Sequence, residues 1–463
     1  MKNKFLRLVY LFSVSLFCSL FACDKIEENL TIIKVDIKSA IDETFSISNN
    51  SFSYTKELQP SNNGFTSIID TLILPKSGYY TFSFRQKPIQ LYLTKGEKVG
   101  ISFKADDFLN SITFSEGSKN ENIYLMDKYR LNYRYNRTNS TSLKSEKFLA
   151  ALFTHRDAML KLVDKSKASP IFKDKEIKEI TYQTAIDQLS YSSVHANLKG
   201  RKSLDIGPNY YASLPSINYS DTTLYANSET GNYPYLVKYY FAKIANDKKK
   251  EYGNDKTLAF LNEVDLAFPN GYAKDELFHS KLKEGLDGNN PNLDEIYSLS
   301  LQSMQNEAYL KALKEDYTRI VGLKRGIKAP NFTLEDYTGQ TISLDDFKGR
   351  LVYIDVWATS NSEALQELPA LKERINEYKN IEFITVSLDT KDDYEKWKSY
   401  STARNIRATS LIAYTNSQFQ KDYYIRSIPT YILIDPKGNI VSVNAPKPSE
   451  AVAFKKLIDK IPR

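Results

Sequence analysis

The sequence predicts a multidomain chain: an amino-terminal all-β sandwich or barrel, a helical middle region and a carboxy-terminal α/β domain. Three observations lead to this. Residues 30–117 carry short runs of alternating or continuous apolar residues, punctuated by Gly, Pro, Asn and Ser. Residues 118–324 place apolar residues three and four apart over long stretches. Residues 325–463 alternate strand-like apolar runs with amphipathic helical ones and include a hairpin pattern, the order of a layered fold with a mixed sheet.

The 463 residues suffice for two or three domains. The chain is 41% hydrophobic and 26% charged, with 33 Tyr and 24 Phe, residues suited to half-buried strands and helix faces. The first 22 residues stand apart. "MKNKFLRLVYLFSVSLFCSLFA" starts with Lys2, Lys4 and Arg7 and is apolar from Leu8 to Ala22, the pattern of a secretory signal rather than a fold element. No later apolar run is long enough to span a bilayer. Of the formal charge of +7, three charges fall in this signal, leaving +4 for residues 23–463. That surplus is mild and its cations are mixed with acids, so no nucleic-acid partner is expected. The basic run "NDKKKEYGNDK" (246–256) reads as a solvated turn.

Cysteine usage narrows the chemistry most. The two cysteines are Cys18, inside the signal, and Cys23, directly after it. Residues 24–463 therefore offer no internal disulfide and no thiol. His155, His195 and His279 are scattered, so the sequence predicts no metal site, and it predicts no cofactor. "LFAC" (20–23) resembles the lipobox of bacterial lipoproteins, although Phe21 is unusual there. The resemblance implies a lipoprotein signal peptide over 1–22, lipidation of Cys23, a tether over 23–29 and a lipid-anchored place in the cell envelope, at the outer membrane's periplasmic face or the cell surface. The acidic stretch "DKIEEN" (24–29) fits a solvated linker and also resembles surface-export signals of Bacteroidetes lipoproteins.

Within 30–117, strands are expected at "LTIIKVDI", "TFSISNN", "IIDTLILP", "YYTFSFR", "IQLYLTKG", "KVGISFKA" and "SITFSEG". Residues 89–125 resemble the β-rich domain that precedes thioredoxin domains in many Bacteroidetes envelope proteins. In the middle region helices are expected near 121–165, 172–198, 232–267 and 293–323, with Asn292 as a cap of the last. Their aromatic stripes read as core, and no catalytic constellation is present. "IDTL" (69–72) and "SDTT" (220–223) resemble Bacteroidetes O-glycosylation sequons. Thr71 falls in an expected buried strand, so Thr222, in a polar stretch, is the better acceptor.

In the last domain two short strands flank Thr338-Gly339, "LVYIDVW" (351–357) and "IEFITVSLD" (381–389) are buried strands, and "IPTYILIDPKGNIVSV" (428–443) is a hairpin. Helices are expected over 363–379, 392–405 and 448–461. This order, with "AP-x-F-x-L", "D-x-WA-T", a following Pro369 and "IPT-x-x-L-ID-x-x-G-x-I", closely resembles the TlpA/ResA branch of the thioredoxin superfamily across about 327–463. The resemblance implies a thioredoxin-like fold and an extracytoplasmic thiol–disulfide oxidoreductase. It also implies that two cysteines should stand at Asn361 and Ala364, the nucleophile at a helix amino-terminus and the resolving thiol one turn on.

Neither asparagine nor alanine exchanges thiols, and residues 325–463 hold no histidine to activate Ser362. A peroxidatic thiol is missing for the same reason. The resemblance further assigns Asp355 to the buried acid beneath the site, where it would survive as a hydrogen-bonded carboxyl with a raised pKa. It assigns Ile428-Pro429 to a cis-proline step whose backbone pairs with extended substrate. Ser360 is expected as helix N-cap, with Glu363 reaching back in a capping box. The resulting expectation is a redox-inactive envelope lipoprotein. Its groove of Trp357, Ser360, Asn361, Ile428 and Pro429 would hold an extended peptide or an envelope protein, its membrane contact being the lipid on Cys23. The alternative is a family oxidoreductase in envelope redox homeostasis that works with a separate thiol partner. Binding of a nutrient or glycan has no motif behind it.

Overall fold

The computed structural model describes residues 30–37, 45–49, 53–58, 67–135, 140–200, 206, 208–286, 288, 290–403 and 408–461. The signal, Cys23 and most of the tether lie outside the described residues. The chain divides into two compact units, Met1–Asp247 and Lys248–Arg463.

The first unit opens with eight strands: β1 (Thr31–Ile37), β2 (Phe45–Asn49), β3 (Thr55–Leu58), β4 (Ser67–Leu72), β5 (Gly78–Phe84), β6 (Lys87–Leu93), β7 (Lys98–Phe103) and β8 (Thr113–Ser115). They form two four-stranded sheets, β4-β1-β7-β8 and β3-β2-β5-β6. All pairings are antiparallel except β1 with β7. Alternation sends Ile33, Val35, Ile47, Phe82, Phe84, Ile101 and Phe103 into one shared core, where Phe45, Phe84, Phe103 and Phe108 pack ring against ring. The strand β3 is missing from the sequence reading. Its residues "TKEL" offer one buried side chain, Leu58, and as an edge strand it needs no more.

The opposite face of β5 and β6 presents Tyr79 and Tyr92 to α1 (Lys119–Arg134), α2 (Ser145–Lys165) and α3 (Pro170–Leu198), in a cluster with Tyr124 and Phe172. Pro170 starts α3, where its missing N–H costs nothing. The fully buried Glu176 is matched from two sides: Tyr79 donates to one carboxylate oxygen at 2.6 Å and Lys128 to the other at 2.7 Å. Burial, and then the carboxylate, push the Tyr79 phenol far above its ordinary value, so it remains a donor. A fourth helix, α4 (Asn232–Lys248), ends at the boundary. The helical segment expected near 232–267 is interrupted after it. Gly253 takes φ 62°, and Asp255 caps the next helix by accepting from Thr257 and Leu258 N–H.

The second unit begins with α5 (Lys256–Ala267), α6 (Tyr272–Gly285), α7 (Leu293–Ser303) and α8 (Glu307–Gly322). The one long helix expected over 293–323 is therefore two. Met304 turns extended, and the buried Asp275 carboxylate accepts from the N–H groups of Gln305 and Asn306, both at 2.9 Å. Asn306 then caps α8 by accepting from Tyr309 N–H. Asn292 holds the N-cap position of α7, but its side chain does not cap. Its amide donates to Asp255 instead, at 3.2 Å.

The seven-stranded sheet runs β10-β9-β13-β12-β11-β14-β15. Its strands are β9 (Thr333–Asp336), β10 (Thr341–Ser343), β11 (Leu351–Trp357), β12 (Ile381–Ser387), β13 (Thr409–Ile412), β14 (Thr430–Ile434) and β15 (Ile440–Ser442). The central trio β11, β12 and β13 is parallel, and β14 and β9 join it antiparallel. Strand β13, "TSLI", was not expected; its four residues are too short a run to show a period. Helices α9 (Ser362–Glu377), α10 (Tyr394–Ala403) and α11 (Ala451–Ile458) complete the unit. Among the described residues no helix is long and apolar enough to cross a membrane.

Candidate functional site

The site forms where β11 ends and α9 begins. All seven residues of β11 are buried. Its even positions Val352, Ile354 and Val356 enter one core, while Leu351, Tyr353 and Trp357 join apolar clusters with Leu371, Ile375 and Ala364 of α9. Alternation therefore places Asp355 on the α9 face, between Tyr353 and Trp357, where it is 4% exposed. Asp355 stands opposite Tyr431 of β14, whose ring stacks on Tyr353 at 5.9 Å. Burial first, then the Asp355 carboxylate, push both phenols well above their ordinary value.

Trp357 does not line a groove. It is 4% exposed and packs with Ala364, Trp397 and Ile412, because the parity of β11 turns its indole under α9. Ala364 is likewise a core residue.

Between strand and helix, the connection is held by a buried polar knot that the sequence reading missed. Asp389, just past β12, accepts from Thr359 N–H at 3.0 Å, from Thr359 Oγ1 at 2.7 Å and from Ser387 Oγ at 2.6 Å. Leu388 N–H donates to Trp357 C=O at 2.8 Å. These bonds fix the last residues before the helix. The available signal was a carboxylate directly following a buried apolar strand in "ITVSLD", a position that needs partners.

The helix start differs from the expected capping box. Ser360 is exposed and is not the cap. Asn361 is: its Oδ1 accepts from Ala364 N–H at 2.8 Å, and its backbone is extended (φ −93°, ψ 105°). The other half of the same amide reaches across the site, and Nδ2 donates to Ile428 C=O at 2.9 Å. The Ile428–Pro429 peptide bond is cis, and both residues are half-buried. A single side chain thus joins the amino-terminus of α9 to the loop before β14. Pro369 lies exposed inside α9, which continues past it to Glu377. Further along α9, Glu367 is buried and accepts from Ser449 N–H and Oγ at 2.9 and 2.8 Å, tying the chain before α11 to the helix.

The candidate modification sites lie apart from this region. Thr222 is exposed at the start of a short helix, Thr222–Asn227. Thr71 was expected in a buried strand, but β4 is an edge strand and Thr71 points outward from it, exposed. Cys23 is outside the described residues.

Residues 326–443 match the AhpC/TSA family. The thioredoxin-like protein YneN of Bacillus subtilis is 30% identical over 125 residues, which cover 27% of this chain and 73% of YneN. The chain belongs to the TlpA/ResA-like thioredoxin superfamily. The thiol-disulfide oxidoreductase ResA of the same organism is 30% identical over 125 residues, covering 26% of this chain and 67% of ResA. A solved thiol-disulfide oxidoreductase from Bacteroides fragilis is 27% identical and covers 28% of this chain and 98% of its own, with a TM-score of 0.25. The family match at 326–443 is the carboxy-terminal part of this chain, and residues 24–463 contain no cysteine.

Proposed function

We propose that this chain is a cell-envelope lipoprotein, anchored through Cys23, whose TlpA/ResA-like domain carries out no thiol chemistry and holds an extended peptide or an envelope protein. Asn361 carries the reading. Disulfide exchange needs a thiolate, which a helix amino-terminus favours, and a second thiol to resolve the mixed disulfide. At the first position the family resemblance assigns, the side chain is an amide already engaged twice, on Ala364 N–H and Ile428 C=O. At the second, a methyl is packed against Trp357 and Trp397. Neither forms a bond to sulfur. Shape remains: Ser360 is exposed, its neighbour Asn361 meets the Ile428 carbonyl before the cis proline, and extended chains are recognised by backbone pairing along such edges. Because Asn361 occupies the Ile428 carbonyl, an incoming segment displaces that amide or pairs with neighbouring groups.

The test has two arms. In an insulin-reduction assay with a thiol reductant, the full chain is expected to match the no-protein control; turnover above it would overturn the redox-inactive reading. In affinity purification from native envelopes, a partner held by the wild-type chain is expected to be lost from the Pro429→Ala variant. Equal capture by both would remove the groove from the reading and leave the inactive fold.

A further inference from the structure

A cavity of about 360 Å³ lies within the second unit, between the end of α8 and the strands β14 and β15. Ile320, Leu323 and Ile440, all buried, give it an apolar wall, and Val443 extends it. Lys324, Arg325 and Arg426 also line it, the two arginines exposed at its edge. Among the described residues, no aspartate or glutamate lines it. Lys324 has a carboxylate partner in Asp294, 3.7 Å away. Arg426 donates to the Tyr424 hydroxyl at 3.4 Å. Arg325 makes no ion pair or side-chain hydrogen bond with a described residue. Gathering like charges around an apolar hollow is unfavourable unless an opposite charge joins them.

Tyr424 adds an independent observation. It follows the short helix Gln418–Asp422 at φ 49°, and Ile425 N–H donates to Gln420 C=O at 2.9 Å. This is the left-handed closing position where glycine is favoured and a bulky side chain is strained. The tyrosine kept there walls the cavity, lies 5.5 Å from the Arg426 guanidinium and donates from its hydroxyl to Asp316 at 3.2 Å. Strained residues of this kind concentrate where a side chain has a task.

We propose that this cavity binds a small amphipathic anion, its apolar body against Ile320, Leu323, Ile440 and the Tyr424 ring and its single-charge head held by Arg325 and Arg426. A guanidinium fork suits a carboxylate. The volume falls in the range of small-molecule sites, and the mix of apolar wall with few polar groups is what such sites share. Part of the wall comes from α8 and the residues after it, which precede the family match at 326–443. The site therefore stands independently of any role for Asn361.

The test compares two isosteric probes, naphthalene-2-carboxylate and the neutral naphthalene-2-carboxamide, by calorimetric titration of the full chain at low ionic strength. The carboxylate is expected to bind about tenfold more tightly, the effect of one charge-assisted contact. That preference should shrink as salt is raised. In an Arg325→Ser/Arg426→Ser variant the preference should vanish while the carboxamide binds as before. Both arginines are exposed, and an unchanged far-ultraviolet circular dichroism spectrum would establish that the variant folds. Equal affinity for the two probes, no binding of either, or a preference that survives the double substitution would each overturn the site; the first two need only the wild-type chain.

Discussion

At the scale of single residues, Asn361 carries the most information. Asn and Ser are comparable N-caps, so local sequence does not choose between Ser360 and Asn361. The Ile428 carbonyl chooses, by accepting the Asn361 amide. Two substitutions separate the roles. Asn361→Ala removes the cap and the bridge and should cost about 1 kcal/mol or more. Asn361→Asp keeps a good cap but places a carboxylate against a carbonyl oxygen. If the bridge matters, Asp should be no more stable than Ala; stability equal to wild type would show that it contributes nothing. Urea unfolding followed by tryptophan emission is the suitable measurement. Both tryptophans of the chain, Trp357 and Trp397, sit in the cluster beneath this helix.

At the scale of elements, periodicity located most helices and strands, but α6 falls between the expected segments, and 121–165, 232–267 and 293–323 are each divided into two helices. The apolar rhythm of 293–323 continues unbroken through residues 304–306, yet the helix does not. The break is stabilised by Asp275, 30 residues before Gln305, whose buried carboxylate takes two N–H groups that would otherwise join the helix. Asp275→Ala leaves those donors without their acceptor at a cost of about 1–3 kcal/mol each. Amide hydrogen exchange should accelerate at Gln305 and Asn306. Unchanged protection there would mean that the break is intrinsic to the local sequence. Strands β3 and β13 escaped notice for a related reason. Four residues show no clear period, and each is defined by its pairing with neighbours, β2 for one and β12 with β9 for the other.

At the scale of the whole molecule, the helices of the middle region are divided between the two units, α1 to α4 with the amino-terminal sheets and α5 to α8 with the seven-stranded sheet. The proposed lipid on Cys23 is also a property of the whole chain, since it would set where both units reside. Cells fed an alkyne fatty acid should label the wild-type chain but not Cys23→Ser, and the variant should leave the membrane fraction; equal labelling would exclude this anchor. The sequence by itself determined the order of strand-rich, helical and α/β regions, the family of the last, and the lack of any cysteine from residue 24 onward. These are local or compositional properties, legible in hydrophobic period and residue identity. The tertiary structure decided that Trp357 is core rather than groove, that Asn361 rather than Ser360 caps α9, where the long middle helix breaks, and that Lys324, Arg325 and Arg426 meet around an apolar hollow. Each depends on partners distant in the chain, 67 residues apart for Asn361 and Ile428, and a local pattern carries no record of which distant group will satisfy a donor or cover a face.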